Sequence, residues 1–204
     1  KNRPSGKLPG SRKLLEICTD ANSTLGKIAA EEFNKVQVVR ITKVTDWSDP
    51  ESVIQTKDLI VRNPGISAHA SLPCTPWSTW QQMSIHKYGA DYIKDLEVRR
   101  QQSKKMLRSF IECAELIISL GGEVSFEWPN SCLGWYLGDL TEFIVKYNLY
   151  SVHVDGCSVG LVNHHNEPIL KRWRFVLLPQ GSCLSSPRKN KSICLKVLLF
   201  LLLL

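Results

Sequence analysis

Two adjoining segments with different periods constrain the fold of this chain most. From residue 91 to 120 the apolar residues Leu96, Met106, Leu107, Phe110, Ile111, Ala114, Ile117 and Ile118 recur at three- and four-residue steps, the stripe of an amphipathic helix. Gly121-Gly122 follows, and glycine ends a helix readily because it accepts the left-handed C-cap. The period then falls to two. Val124, Phe126 and Trp128 alternate with Glu123, Ser125 and Glu127, which predicts a half-buried strand over 123–128 with Glu127 at its far end on the other side. A long helix running straight into a strand is half of a crossover unit.

The rest of the chain repeats that grammar. Residues 14–18 form a short apolar run, 36–41 is β-branched and strand-like, and 66–72 alternates small and apolar residues towards Cys74. Residues 150–154 and 172–178 read as further strands. Helices are predicted at 23–30 and from Asp139, where Glu142 three residues on gives a capping-box-like start, to about residue 147. A loop is expected between the second and third strands. Strands alternating with helices predict an α/β fold, a doubly wound, mostly parallel sheet with helices on both faces. Ligands in such sheets sit at the strand C-termini.

A chain of 204 residues with 43% hydrophobic content can bury one core. The expected organisation is a basic tail over 1–12, one domain over 13–178, and a low-complexity tail over 179–204. The last ten residues are Leu-rich but only half the ~20 that a membrane helix requires. Twenty-six Lys and Arg against 19 Asp and Glu give a formal charge of +7, which favours a polyanionic partner without identifying it. The excess gathers at the start, at 99–108 and at 188–196. Solvated surface explains each cluster as well as phosphate binding does. Seven cysteines are scattered with no Cys-x-x-Cys pair, so neither a zinc site nor a disulfide framework is indicated. An intracellular, reducing setting is expected, and the opening Lys suggests a fragment.

The chemistry-bearing motif is Ser71-Leu72-Pro73-Cys74-Thr75-Pro76-Trp77-Ser78, answered some fifty residues later by Glu127 and then by Leu170-Lys171-Arg172-Trp173-Arg174. In order and spacing these elements resemble the DNA cytosine-5 methyltransferases. That family has a Pro-Cys loop with a downstream Ser, a Glu at a strand end and a Gln-x-Arg-x-Arg strand, and Leu170 stands here for its glutamine. The resemblance spans roughly 13–178. It implies a Rossmann-like methyltransferase fold, a DNA partner, S-adenosylmethionine as cofactor and no metal. It also implies that Cys74, Glu127, Arg172, Arg174 and Ser78 are catalytic. Cytosine C5 is a poor nucleophile until a thiolate adds to C6, and the ring nitrogen must then be hydrogen-bonded as charge develops. A free thiol ionises near pH 8.5, so Cys74 needs a cationic neighbour, for which Arg172 and Arg174 are the candidates.

The cofactor would contact Glu16, Thr19, Asp20, Asp46 and Pro73. The family's loop after the first strand is glycine-rich, whereas Asp20, Asn22 and Ser23 stand in it here. Asn and Asp can also adopt the left-handed turns such a loop needs. Asp46 could equally cap the segment that follows it. Two other functions remain open: a catalytically silent nucleic-acid-binding module on the same scaffold, and a cysteine hydrolase pairing Cys74 with His69 or His86. Trp77 and Trp80 either stack on an extruded base or pack their loop on the core.

Overall fold

The computed structural model describes residues 12–23, 27, 36–42 and 44–179. Among the described residues six strands and three continuous helices follow in the order β1 (Arg12–Thr19), β2 (Val36–Thr42), α1 (Pro50–Val61), β3 (Ser67–Ala70), α2 (Gln81–Ser119), β4 (Val124–Pro129), α3 (Gly138–Lys146), β5 (Tyr150–Asp155) and β6 (Arg172–Leu177). The helix expected at 23–30 and both expected tails fall almost entirely outside the described residues. No described helix is long and apolar enough to cross a membrane.

The strands make one mixed sheet in the order β2-β1-β3-β4-β6-β5. β1 runs parallel to β2 and β3, and β3 parallel to β4, while β6 is antiparallel to both β4 and β5. Five strands therefore share a direction and β6 alone reverses. The connection from β5 to β6 holds only the short 3-10 turn Gly156–Val159 and a bridge between Val162 and Pro168. Without a helical crossover the chain can only return antiparallel.

Three local expectations are corrected. The loop expected before β3 contains helix α1, started by Asp49, whose Oδ2 accepts the Ser52 amide at 3.1 Å, and by Pro50 in its first turn. The long helix begins at Gln81 rather than 91 and is interrupted at Gly89, where φ is 68° and ψ is −148°. Nothing from Gln82 to Asp95 is buried, so its first turns carry no apolar stripe to read. Helix α3 has no side-chain cap; Asp139 instead accepts Arg108 Nε at 2.7 Å and so ties α3 to α2.

Strand parity divides the side chains between two faces. Leu15, Ile17, Ala68, Ala70, Phe126 and Trp128 meet Val53, Ile60, Leu107, Phe110 and Phe143 in one core beneath the three helices. Glu16, His69, Ser125 and Glu127 take the alternate positions and share the opposite face. There a smaller apolar cluster of Val154, Phe175 and Leu177 adjoins them.

The end of α2 is a Schellman closure. Gly121 takes φ 83°, its amide donates to Ile118 O at 3.1 Å and that of Gly122 to Ile117 O at 2.9 Å. A Cβ on Gly122 would fall 1.9 Å from Ile66 O, in backbone that cannot yield. Gly122→Ala is expected to cost about 3 kcal/mol, the upper end of the overpacking range. Gly138→Ala, with nothing within 4 Å of its Cβ, should leave the urea midpoint almost unmoved.

Candidate active site at the strand C-terminal edge

The carriers of Cys74 and Glu127 are neighbouring parallel strands, so both residues reach the same edge of the sheet. After β3 the chain runs through Ser71, Leu72 and Pro73 to Cys74, which precedes the 3-10 turn Thr75–Trp77. Two bonds fix this loop. The Ser71 amide donates to Ile17 O of β1 at 3.2 Å, and Trp128 Nε1 of β4 donates to Leu72 O at 2.6 Å. Trp77 is buried and donates to Ser103 Oγ at 2.8 Å, with Arg100 and Lys104 over its ring at 5.3 and 5.9 Å. It packs the loop, whereas Trp80 is 70% exposed. Ser78 follows the turn, and its Oγ accepts the Trp80 amide at 3.3 Å.

Glu127 and Cys74 share an electrostatic environment. Ser71 Oγ donates to Glu127 Oε1. Burial raises the Glu127 pKa above the usual carboxyl range, opposed by that hydrogen bond and by the charge of Lys171. Burial likewise raises the Cys74 pKa, opposed by a backbone hydrogen bond and again by Lys171, while Glu127 adds to the rise. The edge therefore holds a carboxyl group that keeps its proton to higher pH than usual, a half-buried thiol and one cation acting on both. Burial pushes Cys18, Cys113 and Cys132 up to about 12, so those thiols are inert.

The two arginines sit elsewhere. Phe175 pairs with Glu127 across the sheet, so Arg174, opposite Trp128, belongs to the other face. Arg174 lies over the Trp135 ring at 4.5 Å and its Nε donates to Ser151 Oγ at 3.1 Å. Arg172 donates to both carboxylate oxygens of Asp155, at 2.5 and 3.1 Å. Lys171, one residue earlier, is the group whose field reaches the thiol. The sequence carries it inside the same pentapeptide, but only the direction of β6 tells which residue of that run meets the edge.

His69 Nδ1 shares a 2.8 Å hydrogen bond with Ser125 Oγ, and its ring stacks on Phe175 at 6.4 Å. Its Nδ1 is thus engaged by Ser125, and His86 is exposed on α2. Burial lowers the His69 pKa from 6.5 to about 4. The unfolded chain takes up this proton near pH 6.5 and the folded chain does not until about 4, so stability falls as pH drops through that window. The expected loss is about 3 kcal/mol. Urea titrations at pH 7 and 4.5 should show a smaller difference for His69→Asn than for wild type.

Glu16 lies inside β1, three residues before its end, with both carboxylate oxygens engaged, by Thr19 Oγ1 at 2.7 Å and Ser23 Oγ at 2.6 Å. Arg40 of β2 lies 3.7 Å from it. Cys18 takes a left-handed φ of 59°, the conformation for which a glycine is expected. Asp20 accepts the Ser23 amide through its carbonyl at 3.1 Å and closes the turn. Asp46 accepts the Ser48 amide and hydroxyl at 2.9 and 2.7 Å; these bonds lower its pKa, and it caps no helix. Beside it Trp47 is 1% exposed with its indole N–H unpartnered. Pro73 is exposed next to Cys74.

Among the described residues no group of three His, Cys, Asp or Glu side chains could hold a metal ion. No protein-family profile, curated protein or solved structure matches this chain.

Proposed function

We propose that this chain is a DNA cytosine-5 methyltransferase-like domain on a Rossmann-like scaffold. One observation carries the reading: Cys74 and Glu127 leave adjacent parallel strands at one edge, under a common cation. Cys74, as thiolate, forms the bond to C6 of the cytosine ring as the C5–C6 double bond opens and leaves its electron pair on C5, and protonated Glu127 donates to the ring nitrogen where negative charge develops. Once C5 is methylated, loss of its proton to solvent reforms the double bond and expels the thiolate. Ser71 holds the Glu127 carboxyl in place, and Lys171 favours the thiolate. The target base is out of its stack, because C6 is inaccessible inside a duplex. A DNA substrate implies a nuclear location in a eukaryotic cell.

The scaffold argument is topological. β2 and β3 flank β1 on opposite sides, so strand order reverses between β1 and β3, the position at whose C-terminal ends doubly wound sheets bind their ligands. The turn 18–20 and the loop 71–74 both lie there. S-adenosylmethionine, when bound, supplies the methyl group. The residues present fit it in part of the expected set: the left-handed backbone at Cys18 lets a ligand approach, Asp46 offers an exposed carboxylate, and the orphaned Trp47 N–H lacks an acceptor. Thr19, Asp20 and Pro73 would line its path, whereas Glu16 is occupied by Thr19 and Ser23 and would only shape the turn.

The direct test is transfer of a labelled methyl group from S-adenosylmethionine to cytosine in DNA. Label at C5 is expected; its absence while both ligands bind would overturn the reading. The sealed Glu16 and the glycine-free turn favour a second reading, a silent nucleic-acid-binding module. Calorimetry separates the two, since that module would bind DNA and show no heat with S-adenosylmethionine.

The role of Lys171 has its own measurement. Lys171→Met is expected to raise the Cys74 pKa further, so the pH profile of Cys74 alkylation by iodoacetamide, followed by peptide mass spectrometry, should move to higher pH. An unmoved profile would remove Lys171 from the site.

A further inference from the structure

The turn that carries Cys74 is held on its far side by α2. Before Cys74 the loop is tied to the sheet at Ser71 and Leu72. After it, the Trp77 and Ser78 amides close the 3-10 turn on Cys74 O and Thr75 O at 2.9 and 3.2 Å. Such a turn is weak by itself, because its hydrogen bonds are poorly aligned. Side chains of α2 reinforce it: Gln81 Nε2 donates to Thr75 O at 2.7 Å, Arg100 Nε donates to Pro76 O at 3.2 Å, and Ser103 Oγ accepts Trp77 Nε1.

Of these contacts, that of Gln81 depends on the shape of the helix. Gln81 is 5% exposed, so both ends of its carboxamide need partners. Nε2 meets Thr75 O, and Oε1 accepts the Tyr92 hydroxyl at 2.5 Å. Along an unbroken helix residues 81 and 92 would stand about 16 Å apart, at ~1.5 Å per residue. They meet because the chain turns at Gly89, whose φ of 68° and ψ of −148° suit glycine alone. Tyr92 is placed in turn by Arg99, whose guanidinium lies 5.3 Å from its ring centre and pairs with Asp95 at 2.8 Å. A carboxamide can offer either end to a neighbour. Thr75 O only accepts, so it requires the amino end, and the Tyr92 hydroxyl, donating to Oε1, selects that orientation.

We propose that Gln81 and Tyr92 are positioning residues for Cys74: Tyr92 orients the Gln81 carboxamide, and Gln81 fixes the turn that carries the thiol. As a contribution to catalysis this rests on the methyltransferase reading above, and it adds the residues that hold the nucleophile in place. Alkylation of the full native chain by iodoacetamide, followed by peptide mass spectrometry, tests it through two thiols in one sample. Cys74 reports on its own turn, whereas Cys113, fully buried in the core, reacts only when the whole fold opens. Gln81→Met keeps the length of the side chain and removes both polar ends. It should speed Cys74 alkylation about 3- to 10-fold, the factor by which one lost hydrogen bond shifts a local opening, and raise the ratio of the Cys74 rate to the Cys113 rate. Tyr92→Phe, which loses only the hydroxyl, should act in the same direction, and the double variant should match Gln81→Met, because Tyr92 acts through Gln81. In methyl transfer Gln81→Met should lower kcat about 10- to 100-fold and leave KM for S-adenosylmethionine within about twofold of wild type, since a misplaced nucleophile slows the reaction more than it weakens binding. A Cys74 rate changed less than about twofold, parallel acceleration of both thiols, effects of the two substitutions that simply multiply, or an unchanged kcat where wild type transfers methyl would each overturn the positioning role. A wild-type chain that transfers no methyl counts against the methyltransferase reading alone, because the thiol rates are read without it.

Discussion

Cys74→Ser is expected to abolish methyl transfer to cytosine, and Glu127→Gln to slow it by about 10²- to 10⁴-fold, the usual contribution of a placed general acid. The two losses differ in kind. A serine hydroxyl at position 74 remains protonated at any pH the fold survives, and Lys171, which only moderates a burial-driven rise in the thiol pKa, cannot ionise it. Without an anionic nucleophile C6 is not attacked. Glu127→Gln keeps a hydrogen-bond donor and the contact with Ser71 but no transferable proton, so positioning survives and charge neutralisation does not. A pH profile separates these roles. The wild-type rate should fall on the alkaline side as Glu127 loses its proton, at a pH above that of an ordinary carboxyl because burial raises its pKa. Glu127→Gln should lack that limb.

Trp128→Ala is expected to destabilise the fold by about 3–5 kcal/mol, the range for emptying a large aromatic from a core. Trp128 is 1% exposed, meets Phe126 and Trp135 edge to face at 4.8 and 5.8 Å, and closes on Gly134, where an added Cβ would stand 2.4 Å from its ring. Its indole N–H also carries the bond to Leu72 O, so the same side chain supports the core and holds the loop before Cys74. Trp128→Phe separates the two functions. It retains most of the packing and loses the hydrogen bond, for an expected cost of about 1–2 kcal/mol. Urea unfolding of the three chains gives the ordering directly, and a loss below about 1 kcal/mol for Trp128→Ala would contradict the packing.

The parts of this molecule that were legible in the sequence are those where burial imposes a period. Val124, Phe126 and Trp128 sit under the helices because a strand alternates, and the same alternation put Glu127 on the opposite face. The stripe from Leu96 to Ile117 was readable because it packs on the sheet. Helix α1 buries only Val53, Thr56 and Ile60, too few for a stripe, and its signal was the Asp49-Pro50 start. The exposed turns before Gly89 bury nothing and gave no pattern at all. The candidate site was half legible. Cys74 and Glu127 lie at strand ends that local sequence can locate, whereas the cation beside them depends on the reversed direction of β6. That reversal places Lys171 at the edge and turns Arg172 and Arg174 to Asp155, Ser151 and Trp135. Glu16 shows the same limit, since its ion pair with Arg40 joins residues on two different strands.

The central claim is that Cys74 adds covalently to the ring of a cytosine. Intact-mass spectrometry of the chain incubated with S-adenosylmethionine and an oligonucleotide carrying 5-fluorocytosine tests it most directly, because fluorine at C5 cannot leave as a proton does and the protein–DNA bond persists. One added oligonucleotide per chain, mapped to the peptide containing Cys74 and absent from Cys74→Ser, is the predicted result. Unmodified protein under conditions where both ligands bind, or an adduct that survives in Cys74→Ser, would contradict it.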